Sequence, residues 1–401
     1  MKPSRSFSWL FGLAMIFLIV GLSCQRQSPS VPDREPTEPE WFEDVTKRVG
    51  LDFVHDPGPL DGKYFMPQIF GSGAALFDFD GDGRLDIYLL HNGGPSGPRN
   101  RLYHQRRDGT FEDVSVGSGL DVAGHSMGVA VGDIDNDGRP DVLLTQYGGI
   151  RLFRNLGAGH FRENTADSAL HNPAWATSAA FLDYDRDGWL DLVVVNYLDY
   201  DPSIACTSPV GEKDYCMPKV FAGRVSALFR NLGGEGRIGR FADVTLASGL
   251  GRLPGPGLGV VCADFDGDGW PDIFVANDGQ PNRLWLNQHN GTFQDEAVPR
   301  GVAYNGMGHA WAGMGVACAD LDGDGLNDLF VTHLSGETNN LWKQGPRGLF
   351  TDRTGTAGLS TPRWRGTGFG VVAADFNQDG WLDLAVANGG VVRTAPATES
   401  L

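Results

Sequence analysis

Residues 78–86 read DFDGDGRLD, and this stretch decides the fold of the chain. Carboxylates at positions 1, 3 and 5 (Asp78, Asp80 and Asp82) can turn inward around one centre. Gly83 at position 6 permits the sharp bend that returns the chain. The main-chain carbonyl of Arg84 at position 7 and the carboxylate of Asp86 at position 9 then complete an oxygen shell. An all-oxygen donor set with several charges suits a hard ion of flexible coordination, Ca²⁺ before Mg²⁺. Without an ion the cluster repels itself: two carboxylates about 4 Å apart cost on the order of 4 kcal/mol at an effective dielectric near 20.

The pattern recurs six times. The other loops are Asp133, Asp135, Asp137, Arg139 and Asp141; Asp183, Asp185, Asp187, Trp189 and Asp191; Asp264, Asp266, Asp268, Trp270 and Asp272; Asp320, Asp322, Asp324, Leu326 and Asp328; and Asp375, Asn377, Asp379, Trp381 and Asp383. In each, the fourth residue named supplies only its carbonyl. Asn377 keeps an oxygen but loses a charge, so the sixth site is expected to be the weakest. An EF-hand needs glutamate at position 12. Here position 12 is Leu89, Leu144, Val194, Val275, Val331 or Val386, which excludes it.

Successive loops start 55, 50, 81, 56 and 55 residues apart. The long interval carries an insert, 197–224, that holds Cys206 and Cys216. Around each loop the same segments return. An aromatic-led strand opens the unit, from Phe42, Phe111, Phe161, Phe241, Phe293 and Phe350. A Gly/Ala-rich strand runs into the aspartates, and a short β-branched strand such as DLVVV or DIFVA leaves them. A fourth segment, such as RLYHQ, RLFRN, ALFRN or NNLWKQ, ends in a Gly-rich turn. Four short strands per unit of this length predict an all-β fold, a β-propeller of six recognisable four-stranded blades with the last incomplete. Continuous apolar strands fit sheets buried on both faces, as stacking blades require.

The 401 residues include 57 glycines and 23 prolines, in keeping with many strands and tight turns. A net charge of −18 argues against nucleic acid, which calls for basic patches. The acid is organised, because the six loops hold 23 of the 50 acidic residues. Six divalent ions would bring the charge to about −6 and relieve self-repulsion.

Residues 1–24 are expected to be an export signal: Lys2 and Arg5 precede an apolar run, Phe7 to Leu22, that is short for a membrane span. The run ends at Ser23-Cys24. A cysteine after a small residue resembles the bacterial lipoprotein processing site, where Cys24 would be lipidated and anchor the chain; an uncleaved anchor is the alternative. Residues 25–40 read as a disordered tether, 41–390 as the propeller and 391–401 as a short tail. In an exported chain, Cys206 and Cys216 are expected to form a local disulfide. Cys262 and Cys318, inside apolar runs, are expected to be small buried hydrophobes.

The aspartate loop within these units resembles the FG-GAP/VCBS repeat. Longer fragments, NYLDYDPSIACTSPVGEKDYCMPKVFAG, VANDGQPNRLWLN, GMGHAWAGMGVACAD and GTGFGVVAADFNQDGWLDLAVANGG, resemble bacterial relatives of cartilage acidic protein that often carry an ASPIC/UnbV segment. That resemblance implies calcium in the loops and a propeller used for adhesion or protein contacts. Such proteins typically have seven blades, whereas the sixth unit here is followed only by VVRTAPATESL. A shortened variant closing as six blades and a truncated chain are the two alternatives, and truncation is favoured.

No G-x-S-x-G, H-E-x-x-H or phosphate loop is present. His91 and His333 fall where other units have Gln146, Asn196, Asn277 and Asn388, so a capping role explains them better than catalysis. His125 and His309 would line a rim. The expected function is a non-enzymatic calcium-binding module of the cell envelope or extracellular space. Its expected partner is a protein or glycan at the propeller rim, with insert 197–224 as the contact element. A polysaccharide lyase is the alternative, and it needs a basic or histidine cluster on the axis.

Overall fold

The computed structural model describes residues 41–360 and 366–391. The signal-like stretch with Cys24, the tether 25–40 and tail residues 392–401 lie outside the described residues. All the sheets belong to one unit that begins at Asp44.

Sheet 1 shows the plan. Strand β1 (Ala74–Phe77) runs into the first acidic loop, β2 (Asp86–Leu89) leaves it, and β3 (Arg101–Gln105) and β4 (Phe111–Asp113) follow in spatial order 1-2-3-4. All pairs are antiparallel; Phe77 faces Asp86 across the loop, and Tyr103 faces Asp113. Sheets 2 (126–163), 3 (176–243), 4 (257–295) and 5 (316–352) repeat the order. Sheet 6 has two described strands, Thr367–Ala374 and Asp383–Gly389. The chain is thus an all-β propeller of consecutive four-stranded antiparallel sheets.

The aromatic-led strand does not open its unit. Phe111–Asp113 is the outermost strand of sheet 1, paired with the strand before it, and Phe161, Phe241, Phe293 and Phe350 do the same for sheets 2 to 5. The reason is the glycine turn. At 106–110, Gly109 adopts φ +81° and the Arg106 N–H donates to Thr110 O at 2.8 Å, which makes a tight hairpin. The segment from Phe42 is not a strand.

The core lies between sheets. Phe77, Tyr88, Leu90 and Leu102 of sheet 1 pack on Val142, Leu144, Phe153 and Phe161 of sheet 2. Further clusters fill the junctions of sheets 2 and 3, 3 and 4, and 4 and 5. This explains why the second strands (DVLLTQ, DLVVVN, DIFVAN) are apolar without alternation. Cys262 and Cys318, expected to be buried, are half-buried and pack against the inter-sheet clusters, where desolvation pushes their thiols up to about 12 and about 11.

Insert 197–224 leaves sheet 3 after Asn196, and the sheet resumes at Ala227. The insert contains a small hairpin, Cys206–Thr207 with Lys213–Asp214, stapled by a Cys206–Cys216 disulfide with Cα atoms 5.1 Å apart. Its Tyr197, Tyr200 and Phe221 join Phe65, Phe70, Tyr147 and Trp175 in a layer of edge-on and tilted aromatic contacts. This layer sits at the far ends of the second strands, opposite the acidic loops. Among the described residues no helix is long and apolar enough to cross a membrane.

Candidate metal centres

Each acidic loop is shaped by its own carboxylates. Asp78 accepts the N–H groups of Gly81 and Gly83 at 2.8 Å and of Asp82 at 3.0 Å. Asp133, Asp183, Asp264, Asp320 and Asp375 make the same bonds to positions 5 and 6 of their loops. The position 5 carboxylate then accepts the position 7 N–H, at 2.9–3.0 Å in all six loops, from Arg84, Arg139, Trp189, Trp270, Leu326 and Trp381. Position 6 glycines hold φ between +84° and +91° (Gly83, Gly138, Gly188, Gly269, Gly325, Gly380), a conformation side chains resist.

Position 9 is buried at the base of the loop. Asp86, Asp141, Asp191, Asp272 and Asp328 are at most 2% exposed. One carboxylate oxygen accepts the N–H of position 2 (Phe79, Ile134, Tyr184, Phe265, Leu321), the other an N–H from the end of the third strand. Burial, with the loop's other carboxylates adding repulsion, raises Asp141 to about 7, Asp191 to about 8 and Asp272 to about 7. The sixth loop folds alike, with the Phe376 N–H donating to Asp383 Oδ2 at 3.1 Å, and its Asp383 is only half-buried.

The predicted ligands converge. Donor atoms of Asp78, Asp80 and Asp82 lie within 4.8 Å of one another, as do those of Asp133, Asp135 and Asp141, of Asp183, Asp185 and Asp191, and of Asp264, Asp266 and Asp272. Position 3 supplies the test of fit. Asp135 Oδ1, Asp185 Oδ1 and Asp266 Oδ1 are buried with no hydrogen-bond partner, a costly arrangement that a cation among these oxygens resolves. The residues therefore fit a hard divalent ion.

Two sets of residues were not assigned from sequence. The first is basic. His104, Arg154, Arg230 and Lys343 occupy the same third-strand position and reach loop carboxylates: His104 Nδ1 lies 3.4 Å from Asp80, Arg230 lies 3.8 Å from Asp185, Arg154 pairs with Asp135, and Lys343 pairs with Asp322 and, at 2.8 Å, with Asp324. In sheet 4 this position is Leu286, and Arg300 stands 3.7 Å from Asp266 instead. Through Arg154, Arg230, Lys343 and Arg300 these loops meet part of their demand for positive charge from the chain itself. The second set is the amide that ends each third strand. Asn155 Nδ2 donates to Phe79 O, Asn231 to Ile134 O and Asn287 to Tyr184 O, each at 2.8 Å, and Gln344 Nε2 to Phe265 O at 2.9 Å. Every acceptor is position 2 of the preceding sheet's loop. The recurring letters HQ, RN, RN, LN and KQ were the available signal.

The capping role expected at the ends of the second strands holds for Asn196 and Asn277, and His91 Nδ1 accepts the Asp56 N–H at 3.1 Å, but both ring nitrogens of His333 are buried without a hydrogen-bond partner. Asn196 Nδ2 donates to Val225 O at 2.9 Å and Asn277 Nδ2 to Pro281 O at 2.7 Å. His125 Nδ1 meets Asn92 O at 2.8 Å.

Residues 78–144, 133–194, 264–331 and 320–386 match the FG-GAP-like repeat. The chain is 27% identical over 280 residues to human cartilage acidic protein 1, covering 66% of this chain and 38% of that protein. To the Xenopus tropicalis protein of the same name it is 26% identical over 394 residues, covering 80% and 58%. It therefore spans less than two thirds of the length of these relatives. Among solved structures, an Agrocybe aegerita lectin described for recognition of non-reducing terminal N-acetylglucosamine aligns at 19% identity and a TM-score of 0.40, over 79% of this chain and 74% of that one. A likeness that distant carries no functional argument.

Proposed function

The chain belongs to the FG-GAP-like repeat family, and on that premise we propose that it is a calcium-dependent binding module of the cell envelope, not an enzyme. The observation that carries this reading is the set of buried, partnerless carboxylate oxygens on Asp135, Asp185 and Asp266, in loops whose backbone is already folded around them. Bound calcium would supply charge compensation and rigidity there. The chain's own residues do the rest: position 1 fixes the turn, position 9 ties the loop to the sheet, and the third-strand bases trim the excess negative charge.

Such a scaffold presents a protein or glycan ligand with loops on a stiff frame. The disulfide-stapled insert is the proposed contact element, because Ile204, Val210, Met217 and Val220 leave apolar side chains exposed on it. The disulfide supports export to an oxidising compartment, with lipidation of Cys24 as the proposed anchor.

The test is retention on a glycan array and on envelope-protein extracts, with calcium and with chelator. Calcium-dependent retention that falls when Met217 and Val220 are replaced by serine supports the reading. Retention indifferent to calcium, or to the insert, contradicts it.

A further inference from the structure

The terminal amides of the third strands join each loop to its neighbour. Asn287 shows the connection in full. Its backbone N–H donates to Asp272 Oδ1 of its own loop at 2.8 Å, and its side-chain Nδ2 donates to Tyr184 O of the preceding loop at 2.8 Å. Tyr184 lies between Asp183 and Asp185, two candidate ligands, and its own N–H donates to Asp191 Oδ2 at 3.0 Å. Asp191 Oδ1 in turn accepts the N–H of Asn231 at 2.7 Å, and Asn231 Nδ2 reaches Ile134 O. The relay continues through Asp141 and Asn155 to Phe79 O and Asp86, and in the other direction through Phe265 O and Gln344 to Asp328. One unbroken series of hydrogen bonds therefore threads five acidic loops. Its amides are 0–4% exposed, where a hydrogen bond is stronger than in water and costly to leave unmade.

We propose that Asn155, Asn231, Asn287 and Gln344 are positioning residues that couple neighbouring metal loops, so that an ion in one loop raises the affinity of the next. The inference rests on the calcium reading above. With its loop holding an ion, the Asp272 carboxylate would be fixed, and it would fix the Asn287 N–H that donates to it. With the strand end fixed, the amide holds the Tyr184 carbonyl and with it the spacing of Asp183, Asp185 and Asp191. The element biased from both sides is the loop itself, ordered around an ion or spread by repulsion, which is what coupling requires.

The test uses the full chain, with terbium as the calcium probe. In a background where Trp189 and Trp381 are phenylalanine, Trp270 is the position 7 tryptophan left to sensitise terbium, and it reads loop 4. Disabling loop 3 with Asp185→Asn is expected to lower the terbium affinity of loop 4 about fivefold or more, within the range of known couplings. In an Asn287→Leu background the same change is expected to leave loop 4 unmoved, and Asn287→Gln, the amide that sheet 5 uses, is expected to restore the dependence. If Asn287→Leu does not fold, the same cycle at Gln344→Leu, with loop 5 disabled by Asp322→Asn, carries the test. Equal effects of Asp185→Asn in all backgrounds, or none in any, overturn the coupling while leaving calcium binding intact. Absence of terbium and calcium uptake by the parent chain overturns both.

Discussion

Asn231 donates its side-chain amide to the carbonyl of Ile134, 97 residues earlier in the chain, at 2.8 Å. The bond crosses from sheet 3 to sheet 2 and ends inside the second acidic loop. A contact of this kind makes the loops parts of the inter-sheet junction, and not ornaments on its edge.

Replacing Asn231 with leucine leaves the buried Ile134 carbonyl without this donor. The expected loss is about 1–3 kcal/mol of stability, read as a lower urea midpoint with unchanged slope. A midpoint equal to that of the parent would contradict the assigned role.

Gly138 sits at φ +85° with open space around the position a Cβ would take. Gly138→Ala therefore meets no clash, only the left-handed backbone penalty of about 1–2 kcal/mol. Calcium affinity of the second loop should fall with it, measured by calorimetry, while the other loops keep theirs.

Lys343 neutralises Asp322 and Asp324 when no ion is present. Lys343→Met should therefore tighten calcium binding at the fifth loop and lower the stability of the chelated protein. Weaker binding in the variant would mean that the lysine supports the site.

His333 is 2% exposed, and burial lowers its pKa from 6.5 to about 4. Because the unfolded chain takes up this proton more readily, the stability it contributes is complete above pH about 6.5 and is lost as pH falls toward 4. Up to about 3 kcal/mol is at stake. His333→Asn, the residue sheets 3 and 4 use here, should flatten urea midpoints between pH 7 and 4.5.

The loops were legible in the sequence because their candidate ligands lie within nine consecutive residues, where spacing alone dictates geometry. The sheets were legible because each repeats the same letters. The partner of the aromatic strand was not. Whether Phe111 opens a unit or closes one depends on a hairpin at Gly109, and a repeating sequence reads equally well from either starting point. The third-strand bases and amides escaped for a different reason. Arg154 meets Asp135 within one sheet, but Asn287 reaches Tyr184 from 103 residues away, and only the stacking of sheets brings the two together.

The most direct measurement is calorimetric titration of the chelator-stripped full chain with calcium, paired with thermal melts. Binding at 100 times the dissociation constant adds about 2.7 kcal/mol per independent site. Saturable uptake of several ions per chain is expected, with a melting temperature that drops by many degrees when chelator is added. No heat of binding, with superimposable melts in calcium and in chelator, would contradict it.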